Sequence, residues 1–408
     1  MLMDLSPPLA PENLLKSRKY VLFWLSSLFS NIGTWMQQVA QPWVVLSLSH
    51  SSFWVGLDSF AMNAPGWIFT LWGGVLADRK DRRAIIFLFQ GIQFLCVVAL
   101  VGLLVLGWLK VWMIVLISFL VGLTDSLSMP SFQSIIPSLV KSEDIPKAVS
   151  FNSAQFNLSR VLGPAIAGIV IARFGAVACF GANAVSYIPF FLSLYWIYPR
   201  GIKQFQKESP ATQPFSQMSE YKKFLLNREI RTPLMIVLAT TLFSGSLITF
   251  CPVIIKDIFH SEVGDFGWAM AAFGVGGLLG AGVSLLPPPK SLKRDKLANF
   301  TAIFLAFTVV AIALNRSLPL LMVLLVLAGT ALTVSNVSAN SFLQQIAGNH
   351  SRGRMASLFQ LAIHGGISIG ALVTGFTVTK MGISNALILN GTIAVAIQAW
   401  ILTTGFRP

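Results

Sequence analysis

Acidic residues are scarce in this chain: 15 Asp and Glu stand against 29 Lys and Arg in 408 residues. Histidine occurs four times (His50, His260, His350, His364) and cysteine three (Cys96, Cys179, Cys251), all widely scattered. No CxxC or Cys/His spacing occurs, so neither a disulfide framework nor a metal site is expected. A nucleotide-binding loop, a Ser/His pair and a sizeable polar domain are also missing, which argues against an enzyme and against a bound cofactor. Charged residues amount to only 11%, where a soluble domain carries roughly 25%.

What fills the chain instead is apolar: 55% of residues are hydrophobic and the mean hydropathy is +0.73. Apolar runs of bilayer length fall at about 20–48, 53–77, 84–107, 111–139, 146–173, 176–198, 233–258, 266–287, 297–315, 318–345, 354–380 and 383–405. By the criterion of ~20 residues per span, this is an all-α membrane protein with about twelve transmembrane helices. Residues 1–16 contain Pro7, Pro8, Pro11 and two acids, with no cleavable signal pattern.

The net charge of +14 does not point to nucleic acid, because the cations lie in loops between apolar runs. With the N-terminus inside, 23 of the 29 cations fall on the cytoplasmic side and five (Lys110, Arg173, Lys256, Arg316, Lys380) on the other. The positive-inside rule accounts for that asymmetry. It places both termini in the cytoplasm of a multi-pass protein. Arg160 belongs to neither side.

The longest polar connection, 199–232, divides the spans six and six. The expected organisation is a cytoplasmic segment 1–19, a first six-helix bundle 20–198, a cytoplasmic linker 199–232 and a second bundle 233–408. Gly163, Gly168 and Gly175 recur as Gly370, Gly375 and Gly382 at one constant offset. A parallel six-plus-six repeat is a known plan of two-bundle secondary transporters.

One loop carries a motif. Gly74-Val-Leu-Ala-Asp78-Arg79-Lys-Asp81-Arg82-Arg83 turns between the second and third spans. It resembles the signature of the major facilitator superfamily: Gly, three residues, Asp-Arg, then a basic pair. Asp81 stands where many members have Gly. The Pro130-x-x-Gln133 segment, Ile136-Pro-Ser-Leu-Val140, Asn152-Ser153 and Arg160-Val-Leu-Gly163-Pro164-x-x-x-Gly168 are similar to the branch holding enterobactin-type siderophore exporters and macrolide efflux pumps. The resemblance spans the whole chain. It departs at Phe132, where many relatives have an arginine, and in 280–296, which keeps only the basic character of the loop.

That resemblance implies the major facilitator fold. It also implies roles for residues. Asp78 would latch the cytoplasmic gate, with Gly74, Arg79, Arg82 and Arg83, by meeting the N-terminus of the eleventh span near Ser351–Arg354, a carboxylate against a positive helix end. The alternative is a purely topological anchor. Gly163, Pro164 and Gly168 resemble the antiporter motif of the fifth span, where small residues let helices approach. Ordinary small-residue packing is the plainer alternative.

Charges within the spans are costly and normally face a partner or a cavity. Asp125 and Arg160 lie midway along the fourth and fifth spans and should share a depth. Either they form a pair through which protons exchange as substrate displaces Arg160, or they form a permanent structural ion pair. Asp58 is a further proton-coupling candidate. Asn31, Thr34, Gln38 and Gln41 of the first span fall on one helical face, with Gln37 beside it. This face either lines a substrate cavity or makes interhelical hydrogen bonds. Asn336, Asn340, Gln360 and His364 are second-half cavity candidates by the same logic; a lone histidine can equally be structural.

The leading expectation is a proton-driven exporter of small amphipathic molecules such as a drug or siderophore, working as a monomer in a bacterial inner membrane by alternating access. The expected partners are a small-molecule substrate, protons and the lipid bilayer; nucleic acid is not among them. An uptake symporter or lysolipid-type flippase, and a non-transporting sensor, are the alternatives.

Overall fold

The computed structural model describes residues 17–140, 144–197, 224, 226–285, 294–347 and 352–404. All regular structure among them is helical. The first half comprises α1 (Arg18–Ser49), α2 (Ser52–Asn63), α3 (Pro65–Arg79), α4 (Arg82–Val105), α5 (Val111–Ile135), α6 (Ile145–Phe174) and α7 (Ala176–Ile197). The second comprises α8 (Arg228–Ala239), α9 (Ser246–Asp257), α10 (Val263–Leu285), α11 (Arg294–Leu314), α12 (Leu318–Ile346), α13 (Arg352–Met381) and α14 (Ile383–Thr404). A wide turn over Thr240–Ser244 joins α8 to α9.

Among the described residues, ten helical segments are long and apolar enough to cross a membrane, with α8–α9 counting as one. The runs expected at 20–48 and 53–77 correspond to α1 and to the pair α2–α3. The second is divided at Ala64-Pro65, where proline supplies no N–H to continue the ladder and instead starts α3. Local chemistry sets other ends. The Asp81 carboxylate accepts from Arg83 N at 2.9 Å and caps α4, and Asn227 caps α8 through Glu229 N. Gly175 and Gly382 end α6 and α13 with φ of 79° and 80°, a left-handed conformation that glycine adopts without a Cβ clash.

The two halves share one register. α5 and α12 begin at 111 and 318; α6 and α13 run 145–174 and 352–381; α7 and α14 run 176–197 and 383–404. These boundaries are displaced by 207 residues, while α2 and α10 begin 211 apart, at 52 and 263. Packing repeats with it. A side chain at Gly163 would meet Trp35, and one at Gly370 would meet Leu242, and these pairs are also 207 apart.

Large apolar side chains such as Phe29, Trp72, Leu95, Leu192, Leu279 and Phe307 point outward, as a lipid-facing surface requires. The interior divides along the membrane normal. Call the end where α1 begins and α14 finishes the near end, and the opposite one the far end. At the far end one continuous core joins both halves, from Val44, Leu46 and Val55 to Phe250, Phe266, Leu321 and Val378. At the near end the described residues form two separate cores: Tyr20, Phe23, Ile86, Phe190 and Leu194 in the first half, and Leu234, Leu343, Met355 and Phe359 in the second.

Candidate functional site

The far-end junction is made by small residues. Gly56 of α2 lies against the Ala371 carbonyl and Gly375 of α13, and Gly168 of α6 lies against Gly267 and Ala271 of α10. Gly274 meets Ala165 one turn further along. With no Cβ in the way, backbones approach closely and dispersion contacts replace lipid. Pro164 lies between Gly163 and Gly168, inside α6. Trp43 stacks on Phe266 across the same junction, with ring centroids 5.1 Å apart.

Inside the first half, a polar chain crosses four helices. Ser118 Oγ of α5 donates to Asp58 Oδ1 at 2.6 Å, and Gln41 Nε2 of α1 donates to Asp58 Oδ2 at 2.7 Å. Gln41 Nε2 also reaches Ser118 Oγ at 2.8 Å. Gln37 Nε2 donates to Gln41 Oε1 at 3.3 Å, Asn183 Nδ2 of α7 donates to Gln37 Oε1 at 2.7 Å, and Thr34 Oγ1 donates to Asn183 Oδ1 at 3.5 Å. Asp58, Gln41, Gln37, Ser118 and Asn183 are all buried. Each amide has its donor spent on the next acceptor, so the desolvation of these groups is offset within the chain.

Asp125 differs in every respect. Its side chain is exposed by area, yet protein surrounds it, so it faces an interior space rather than the outer surface. The buried Tyr187 hydroxyl donates to Gln93 Oε1 at 3.2 Å. Among the described residues the one ion pair is Lys147–Asp144 at 3.9 Å, so Asp125 and Arg160 are not joined in this state. Arg160 lies 5.7 Å above the Trp35 ring. His364 Nδ1 is 2.9 Å from Asn63 Oδ1, and Asn63 Nδ2 donates to the Ser59 carbonyl at 2.9 Å. That second bond fixes the amide, so the imidazole carries its proton on Nδ1 and Nε2 is left as an acceptor.

The expected stripe of α1 therefore serves different neighbours. Gln41 and Thr34 join the buried chain, Asn31 Nδ2 meets Gln155 Oε1 of α6 at 3.5 Å, and Gln38 is half-buried. In the second half Asn336 is buried with an unpartnered Oδ1, while Asn340 and Gln360 are half-buried. Arg83 is buried, donates to the Tyr195 carbonyl at 3.2 Å and lies over the Phe87 and Tyr195 rings; Arg82 Nε reaches the Ala77 carbonyl at 3.5 Å. The side chains of Gly74, Asp78, Arg79, Arg352 and Arg354, and all of Ser351, lie outside the described residues, and the expected latch falls there. Sequence reasoning passed over Ser118 and Asn183 and set Gln37 only beside the stripe. The spacing of Gln37 and Gln41 by four residues was a usable signal for a shared face.

This architecture is that of a multi-pass, small-molecule transporter of the major facilitator type, not an enzyme. The nucleoside transporter NupG superposes with a TM-score of 0.73 at 11% identity, covering 96% of this chain and 100% of that one. A bacterial homologue of the lysosomal transporter Spinster, inward-facing and unoccupied, gives 0.70 at 15% identity, covering 96% and 97%. The chain belongs to the transmembrane secretion effector family, whose model matches residues 6–406. It is similar to the staphyloferrin A transporter of Staphylococcus aureus, 24% identical over 92% of this chain and 93% of that protein. It is also similar to the multidrug efflux pump Tap of Mycolicibacterium fortuitum (24%; 92% and 94%). The enterobactin exporter EntS of Salmonella typhi is 27% identical (86% and 84%).

Proposed function

We propose that this protein is a proton-coupled exporter of small amphipathic molecules, of drug or siderophore type, working by alternating access. The observation that carries the reading is the unequal interior: one core shared by both halves at the far end, two separate cores at the near end. Two bodies joined at one end and parted at the other form one of the two states that rocking transport requires. The near end is taken as cytoplasmic because the cations gather there, which makes this the inward-open state of an inner-membrane protein. The reading treats the chain as a monomer of twelve spans, six in each of two bundles on either side of the linker 199–232. α1 and α2–α3 complete the count, since the polar residues that dilute α1 are hydrogen-bonded inside the protein.

In this mechanism Asp125 carries the proton. It faces the interior space and no described cation holds it. Asp58 holds the first half together. Asp78 and the neighbouring arginines close the near end in the opposite state, against the start of α13. The similarity to exporters supports the outward direction.

Cell accumulation of a panel of labelled drugs and a catecholate siderophore tests the reading. Wild-type cells should hold less of at least one compound, and a protonophore or Asp125→Asn should remove the difference. Higher accumulation in wild type would turn the reading to uptake. Equal accumulation of every compound would sink export.

A further inference from the structure

Arg160 sits at the middle of α6, half-buried, in a chain where an intramembrane cation requires a partner. None of the described acids is within ion-pair distance: the one pair formed among the described residues is Lys147–Asp144. What lies beside Arg160 is an aromatic face. Trp35 lies under the guanidinium at 5.7 Å, and Phe156 stands edge-on to Trp35 at 6.4 Å.

The internal repeat shows that packing alone does not need this charge. The residue 207 positions after Arg160 is Ile367, half-buried in the equivalent turn of α13. The equivalent of His364 in α6 is Asn157. The frame is thus built once with a cation and once with an alkyl group, and α6 and α13 have equal length in both versions. A lone guanidinium beside an aromatic face, with five donors and no acceptor of its own, suits a planar anion.

We propose that Arg160, with Trp35 and Phe156, forms a cargo subsite for an aromatic or amphipathic carboxylate. The inference rests on the transport reading above and narrows its cargo to molecules bearing at least one negative group. The carboxylate would take the guanidinium in a two-point contact while the apolar body lies on Trp35 and Phe156.

The test compares binding of 2-naphthoate and 2-naphthamide to the purified full chain in lipid nanodiscs, by equilibrium dialysis with no gradient. The two probes share shape and ring and differ in charge. We expect the carboxylate to bind on the order of tenfold or more tightly, the range of a charge-assisted hydrogen bond. Arg160→Gln should erase that preference, and Arg160→Lys should keep part of it, since an ammonium retains charge without the planar fork. Equal binding of the two probes to the wild type would overturn the proposal without any variant. So would a preference that survives in a folded Arg160→Gln protein. Gradient-driven movement of a neutral amphiphile in inverted vesicles separates the two ideas. If that movement persists while naphthoate shows no preference, the anion subsite fails and export stands. If naphthoate is preferred but no compound moves, export fails and the subsite stands.

Discussion

The two halves of this molecule share a skeleton and differ in chemistry. Thr34 and Asn183 of the first half recur as Thr241 and Asn390, and the glycines of α6 recur in α13, all 207 residues apart. At the same offset Gln41 becomes Ile248, Ser118 becomes Leu325, Asp125 becomes Leu332 and Arg160 becomes Ile367. Asp58 has no acidic counterpart: Gly56 and Gly267 hold equivalent packing places against α13 and α6, and the residue two after Gly267 is Ala269. The repeated positions are those where backbones touch. The unrepeated ones carry charge or bind it. Frame and function are thus separable by position, and substituting one half's residue for the other's measures which is which.

The largest effect is expected at Asp125. Asp125→Leu, the second-half residue, should abolish protonophore-sensitive export in cells, as Asp125→Asn does, while thermal unfolding in detergent stays at the wild-type temperature. No hydrogen bond among the described residues depends on its side chain, so loss of folding instead would reassign it to the frame. Gln41→Ile should do the reverse. It leaves Asp58 with Ser118 as its one donor and Gln37 with an unused amide, a cost of about 1–3 kcal/mol, read as a lowered unfolding midpoint. A midpoint equal to wild type would show that water replaces the amide.

The glycines sharpen the comparison from the other side. Gly163→Val and Gly370→Val place a branched side chain against Trp35 and Leu242, and each should cost about 1–3 kcal/mol by overpacking. Both should destabilise, and Gly370→Val at least as much, because Gly370 faces Leu242 backbone where Gly163 faces the Trp35 side chain; a loss in one half alone would break the structural symmetry. The smallest effect belongs to Asp81→Ala. Removing the cap of α4 should cost about 1 kcal/mol, measurable as faster amide exchange at Arg83 with transport unchanged.

Much of this was legible in the sequence. Apolar run length gave the helices, and their ends fall within a few residues of the expected ones, because the bilayer fixes length and local caps fix termini. The repeated glycines pointed to the internal symmetry. The side-chain partnerships were less legible. Asp125 and Arg160 were matched by depth alone, and depth does not specify azimuth: Arg160 lies over Trp35, and no ion pair joins it to Asp125. The α1 stripe was read as one face. Its members divide among α2, α5, α6 and α7, since a helix at the centre of a bundle meets different neighbours along its length.

By itself, then, the sequence determined what the bilayer and the backbone demand: the apolar lengths, the cationic near end, the proline break before α3 and the small residues that recur in both halves. These follow from the transfer cost of charge and of unpaired peptide groups, which acts on each segment alone. Only the tertiary structure decided that Asp58 is satisfied, that Asp125 faces an interior space, and that Arg160 lies by an aromatic wall without a described acid beside it. Those are properties of helices from both halves meeting at particular angles. Whether a buried charge is a strut or a working group depends on which neighbour arrives within about 3 Å.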